Sequence, residues 1–149
     1  MSPIHRRRFV LLGVALGSGW GGSGVLACEV QAEFLRVTHP WSRATAADAT
    51  RAVLCMRIDE ITAADRLIGA TTPLATGVEM GGGEPGRAVD VPLQPGQVID
   101  LHDSGMHLVL TGLRHGLQVG RDYPLALQFE RSGTLLARLS VDYPTMKFR

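Results

Sequence analysis

The stretch "HDSGMH", residues 102–107, sets His102, Met106 and His107 in one short polar segment that runs into the apolar "LVLTGL". Imidazole and thioether are soft donors of the kind that select copper(I), and Met80, at the end of a candidate strand, is a further thioether in the chain. The same stretch holds the residue types of a hydrolase: His102, Asp103 and Ser104. A working triad needs nucleophile, base and orienting acid in one hydrogen-bonded line with an oxyanion hole, whereas consecutive residues of an extended chain alternate faces. Adjacency therefore speaks against an enzyme. Each soft donor also has a plainer reading. Met80 and Met106 can be core filler, His102 a solvated turn residue and His107 a satisfied strand-end histidine. His39, in "HPWSR" beside Trp41, reads as structural, and His115, in "RHGL", as an exposed loop residue. Gly81–Gly83 form a flexible turn without the strand-then-helix context of a phosphate cradle.

The elements that must position these residues are short strands. Eighteen glycines and eight prolines interrupt the 149-residue chain too often for long helices, and 45% hydrophobic with 19% charged residues is the balance of one folded domain. Alternation and β-branched content predict strands at 34–37, 53–58, 66–70, 76–80, 88–91, 98–101, 107–111, 123–130 and 134–141, which makes eight or nine short strands. The last two flank "RSG", where Gly133 can take a positive φ in a hairpin. The segment 44–52, "ATAADATRA", lacks an apolar stripe and reads as a loop or a single turn. The pattern gives an all-β chain, an antiparallel β-sandwich or small barrel. Its core should include Trp41, Leu67, Leu108, Leu110, Leu113, Leu127 and Phe129.

The first 27 residues read as an export signal: a basic stretch with Arg6, Arg7 and Arg8, a short apolar run, and "VLA" before Cys28. "RRRFVLL" resembles a twin-arginine signal, and an arginine-rich general secretory signal fits equally. The domain, residues 28–149, is therefore expected to work outside the cytoplasm, in the periplasm. "VLAC" is also compatible with a lipobox, which would make Cys28 a lipidated first residue and the membrane a partner. Otherwise Cys28 and Cys55, the two cysteines of the chain, are candidates for a disulfide, or Cys55 is a buried small hydrophobe. From Cys28 onward the chain carries 12 basic and 14 acidic residues, a net charge of −2, and no basic patch that would suit nucleic acid.

The order of motifs resembles the periplasmic copper chaperones of the PCu(A)C family. The resemblance rests on "VTHPWSRAT", "ADRLIGATTPLATGVEM", "LHDSGMHLVLTGLRHGLQVGRDYPLALQFERSG" and the closing strand through Val141. It implies a cupredoxin-like antiparallel β-sandwich of Greek-key type, copper(I) as the cargo, and a copper-accepting membrane oxidase or other copper protein as the partner.

The family's copper ligands are a His, a Met further along, and a His-x-Met pair. The first His follows the "V-E-hydrophobic" strand end, here Val78-Glu79-Met80, so its position falls on Gly81. The shortened loop "GGGEPGRAVD" holds no Met, and the pair reads His107-Leu108-Val109. Only His107 remains. A single imidazole cannot hold copper(I) against competing thiols, so a working site would need companions from Met80, Met106 and His102. If 106–110 is extended, His107 and Val109 share a face and Met106 points away, which leaves Met106 useful only if it lies in the turn. Two readings follow: an exported copper(I) chaperone with a reduced or rearranged site, or a metal-free β-sandwich interaction module that has lost copper binding.

Overall fold

The computed structural model describes residues 29–143; the expected export signal and Cys28, with its lipid or disulfide alternatives, lie outside them. Ten strands follow one another: β1 Glu29–Gln31, β2 Arg36–Arg43, β3 Arg51–Asp59, β4 Asp65–Thr71, β5 Ala75–Met80, β6 Val91–Leu93, β7 Ile99–Leu101, β8 Leu108–Leu113, β9 Asp122–Phe129 and β10 Gly133–Asp142. They form one strongly curled sheet in the order β5-β8-β3-β2-β10-β9-β4-β6, with β1 beside β2 and β7 beside β3.

Curling turns one face of every long strand inward. Ala52, Leu54, Met56 and Ile58 on β3, Leu108 and Leu110 on β8, Leu125, Leu127 and Phe129 on β9, and Leu139 and Val141 on β10 meet there with little or no solvent exposure. The alternation legible in the sequence is this inward face. Of the expected core, Leu67, Leu108, Leu110, Leu127 and Phe129 are buried, and Leu113 packs against the core half-covered. Trp41 differs. It is only partly covered, because it stands on the outer face of β2, paired with Cys55.

Seven of the nine strand predictions overlap their elements closely, and the departures have local causes. β1 was not expected: its three residues carry little pattern, and it exists by pairing antiparallel with β2 through Val30 opposite Val37. β2 is expected at 34–37 but runs from Arg36 to Arg43, across Pro40. His39 takes a positive φ of 50°, and the β2–β3 register shifts between Thr38 and Trp41. This bulge re-aims the strand, so that its second half pairs parallel with β10, Trp41 opposite Ser140. The sheet is therefore mixed, with one parallel pair that sequence alternation does not reveal. The strand expected at 88–91 begins only at Val91. Segment 44–50 is irregular with a turn at Ala47-Asp48, as its missing apolar stripe implied.

The β9–β10 hairpin closes with Gly133 at φ 73°. Asp65, nearly buried, braces its turn: its carboxylate accepts from the Arg131 and Ser132 backbone N–H groups at 2.8 and 3.0 Å and from the Ser132 hydroxyl at 2.6 Å. Burial alone would raise this carboxyl's pKa. The hydrogen bonds from Ser132, Arg131 and Arg66 outweigh it and hold the pKa below the ordinary carboxylate value.

Candidate metal centre

β7 and β8 lie end to end along one edge of β3. Met56 opposes Leu101 in β7, and Leu54 opposes Leu108 in β8. Cys55 falls between the two ladders, and the chain between them, residues 102–107, stands over the gap. This turn is closed by its own backbone: His102 N–H donates to the Met106 carbonyl at 2.8 Å and Gly105 N–H to the His102 carbonyl at 2.9 Å.

On its far edge β8 pairs with β5, Met80 opposite Leu108, and the ladder continues one step further as Gly81 N–H donates to the His107 carbonyl at 2.9 Å. Gly81 and His107 are thus cross-strand neighbours on the outer face. A Cβ added to Gly81 would overlap Nε2 and Cδ2 of His107 and press on Cγ2 of Val109. Positions 81, 107 and 109, three of those singled out by the ligand pattern, converge on one spot of the outer face. Two of them carry no donor, and the His107 ring lies in the space the glycine leaves open.

His107 Nδ1 donates to the Gly105 carbonyl at 2.8 Å, which leaves Nε2 with its lone pair. Met106 is 43% exposed at the turn's rim. His102, at the other end of the turn, is also exposed; its Nδ1 lies 2.8 Å from Asp103 Oδ1 and 3.0 Å from Ser104 Oγ. Acid and hydroxyl thus meet the same ring nitrogen, so the three residues do not form the line a triad requires. Met80 does not join the others. It is 5% exposed and belongs to the core cluster, because strand alternation turns it inward with Val78 while Glu79 and Gly81 face out. The structure brings His102, Met106 and His107 together on one turn and sets Met80 on the other side of the sheet. Among the described residues, no group of three or more His, Cys, Asp or Glu side chains is arranged to hold a metal ion.

A clamp that the sequence did not suggest fixes the turn from the β2 side. Arg43 Nε donates to Asp103 Oδ2 at 2.7 Å, and its guanidinium lies 5.2 Å from the Trp41 ring centroid. His102 also packs against Trp41, with ring centroids 6.0 Å apart and the rings inclined at 64°. Arg43 holds the Asp103 carboxyl below the ordinary carboxylate range. Beneath, the fully buried Cys55 thiol is pushed up to about 11, chiefly by burial and secondarily by the Asp103 charge. The one hint in the sequence is charge of opposite sign at positions 43 and 103, too far apart in the chain to be paired by inspection.

His39, read as structural, is tied through Nε2 to Asp142 Oδ2 at 3.1 Å, which joins β2 to the end of β10. His115 is exposed in the loop after β8, its Nδ1 donating to the Gly116 carbonyl at 2.9 Å.

The family described as "Putative lipoprotein LpqE-like" matches residues 35–141. Among solved structures, the copper-bound PCuAC domain from PmoF2 superposes with a TM-score of 0.70 at 26% identity, covering 78% of this chain and 98% of that one. The apo PCuAC domain from PmoF1 gives 0.71 at 26%, covering 78% and 99%. CuI-DR1885 from Deinococcus radiodurans, at 21% identity, shares the fold with a TM-score of 0.57, covering 78% and 81%. No curated protein matches the chain.

Proposed function

The chain belongs to the LpqE-like family and has the fold of PCuAC copper chaperone domains, and from that premise we propose that it is an exported, lipid-anchored protein that carries copper(I) on a reduced site centred on His107. One observation carries this reading. The His107 imidazole is anchored through Nδ1–H to a backbone carbonyl, so Nε2 keeps its lone pair on a partly exposed rim. Metal-binding histidines are commonly oriented in this way, by a hydrogen bond from the nitrogen that does not bind the metal.

Met106 and His102 supply the remaining donors from the same turn. Copper(I) accepts two or three soft ligands, and a site built on one exposed turn leaves a side open to an acceptor's donors. That suits transfer to a membrane oxidase or another copper protein better than storage. Export follows from the N-terminal signal. Anchoring follows from "VLAC" and the lipoprotein family: the Cys28 sulfur takes a diacylglyceryl group from a phosphatidylglycerol-type lipid as a thioether, and its proton leaves with the displaced glycerol phosphate.

The second reading, a metal-free interaction module, is favoured by a different observation. Nε2 of His107 is turned toward Gly81, where the ring fills the space of a missing side chain. Titration of the reduced protein with copper(I) against a competing chelator separates the two. A stoichiometric site that withdraws copper(I) from the chelator supports the carrier. Protein that leaves the chelator fully loaded gives the module.

A further inference from the structure

β1 pairs with β2 from Glu29 onward, so the chain enters the fold at the residue after Cys28. Val30 lines an open groove of about 620 Å³ with Pro73, Pro124, Ala126 and Leu136. Leu136 is 74% exposed, more than any other large hydrophobic among the described residues, although it sits mid-strand in β10 opposite Ala126. A leucine so placed gains nothing from solvent, and this one stands at the groove's edge. Arg138, two residues on and on the same face, also lines the groove; its guanidinium has no ion-pair partner among the described residues.

The spacing connects these features to the N-terminus. Two residues of extended chain span roughly 7 Å, so a lipid on Cys28 starts within that distance of Val30. With no linker, an anchored domain cannot stand off from the bilayer, and the surface beside Cys28 is the part brought against it. We propose that this face, Val30 with Leu136 and Arg138, seats on the bilayer surface, with Leu136 entering the boundary between headgroups and hydrocarbon and Arg138 meeting a lipid phosphate. An apolar side chain flanked by a cation is the chemistry of an interfacial membrane contact, and a diacyl anchor makes it persistent. In the strand order β8 stands three places from β10, so the turn that carries His107 lies around the curl of the sheet from Leu136, away from the seated residues. The inference rests on lipidation of Cys28.

The test uses the full chain, exported and processed, purified from membranes and reconstituted in phosphatidylethanolamine–phosphatidylglycerol vesicles. An environment-sensitive fluorophore is attached to Leu136→Cys or, as a reporter on the distant turn, to Ser104→Cys. Both positions are exposed and Cys55 is buried, so labelling is confined to the new thiol once Cys28 is a thioether. Expected is a blue-shifted emission, quenched by spin-labelled lipid chains, at 136 and a water-like emission at 104. A water-like label at 136 on a chain whose mass includes the diacylglyceryl group overturns the seating and leaves lipidation standing. Equal shifts at 136 and 104 overturn the assignment of one face. A mature chain without the lipid mass overturns the lipidation reading and the seating with it.

Discussion

The His107 imidazole lies across the Cα of Gly81, its cross-strand neighbour, in space that any side chain at 81 would claim. The two residues are therefore coupled. Gly81→Ala should destabilise the fold by about 1–3 kcal/mol, because the ring must leave its place or strain the β5–β8 edge. In the double variant Gly81→Ala/His107→Ala the overlap is gone, so its loss should be smaller than the sum of the two single losses. Denaturant midpoints of the four proteins of this cycle check it, and additive effects would show that the ring is not held by the glycine.

Copper(I) affinity should follow the placement of the donors on the turn. His107→Ala is expected to abolish binding and Met106→Leu to weaken it. Met80→Leu should leave binding unchanged, since Met80 points into the core and the swap nearly conserves volume. Competition titrations of these variants measure the order. Loss of copper binding in Met80→Leu, with stability retained, would mean that the core methionine reaches the site after all.

Leu110 is fully buried and paired with Ala52 on one side and Val78 on the other, at the centre of the β3–β8–β5 packing. Leu110→Ala should cost about 2–5 kcal/mol, the range for deleting a large aliphatic group from a closed core. A thermal or denaturant midpoint equal to wild type would contradict its position.

Period-two alternation made strands β3 to β5 and β7 to β10 legible, because each buries one face and exposes the other. The β2 bulge at His39-Pro40 and the parallel β2–β10 pair were not, since both depend on which strands meet after the chain has curled. The site divides in the same way. The turn, and His107 as the residue that fits the family's ligand pattern, are written locally in "HDSGMH". The inward direction of Met80 is a matter of register: one residue along β5 separates the core face from the outer face that carries Gly81. The Arg43–Asp103 clamp and the position of Cys55 beneath the turn come from residues remote in sequence and carry no local pattern.

That buried thiol gives a pH dependence with a defined sign. Folding raises the Cys55 pKa from 9.0 to about 11, by burial first and by the Asp103 charge second. The folded protein keeps the proton where the unfolded chain has released it, so the contribution of this group is fully present below pH 9 and is lost as pH rises through about 11. Other groups titrate in the same range, and the difference between wild type and Cys55→Ala isolates this one. The stability gap between the two should narrow steadily from pH 9 to 11, and native Cys55 should resist thiol reagents throughout, reacting only when the turn 102–107 opens or the chain unfolds. Asp103→Asn removes a charge next to the thiol and weakens the Arg43 clamp, so it should ease the thiol's ionisation and speed its modification. A gap independent of pH, or modification equally fast in wild type and Asp103→Asn, would place Cys55 outside the control of the turn.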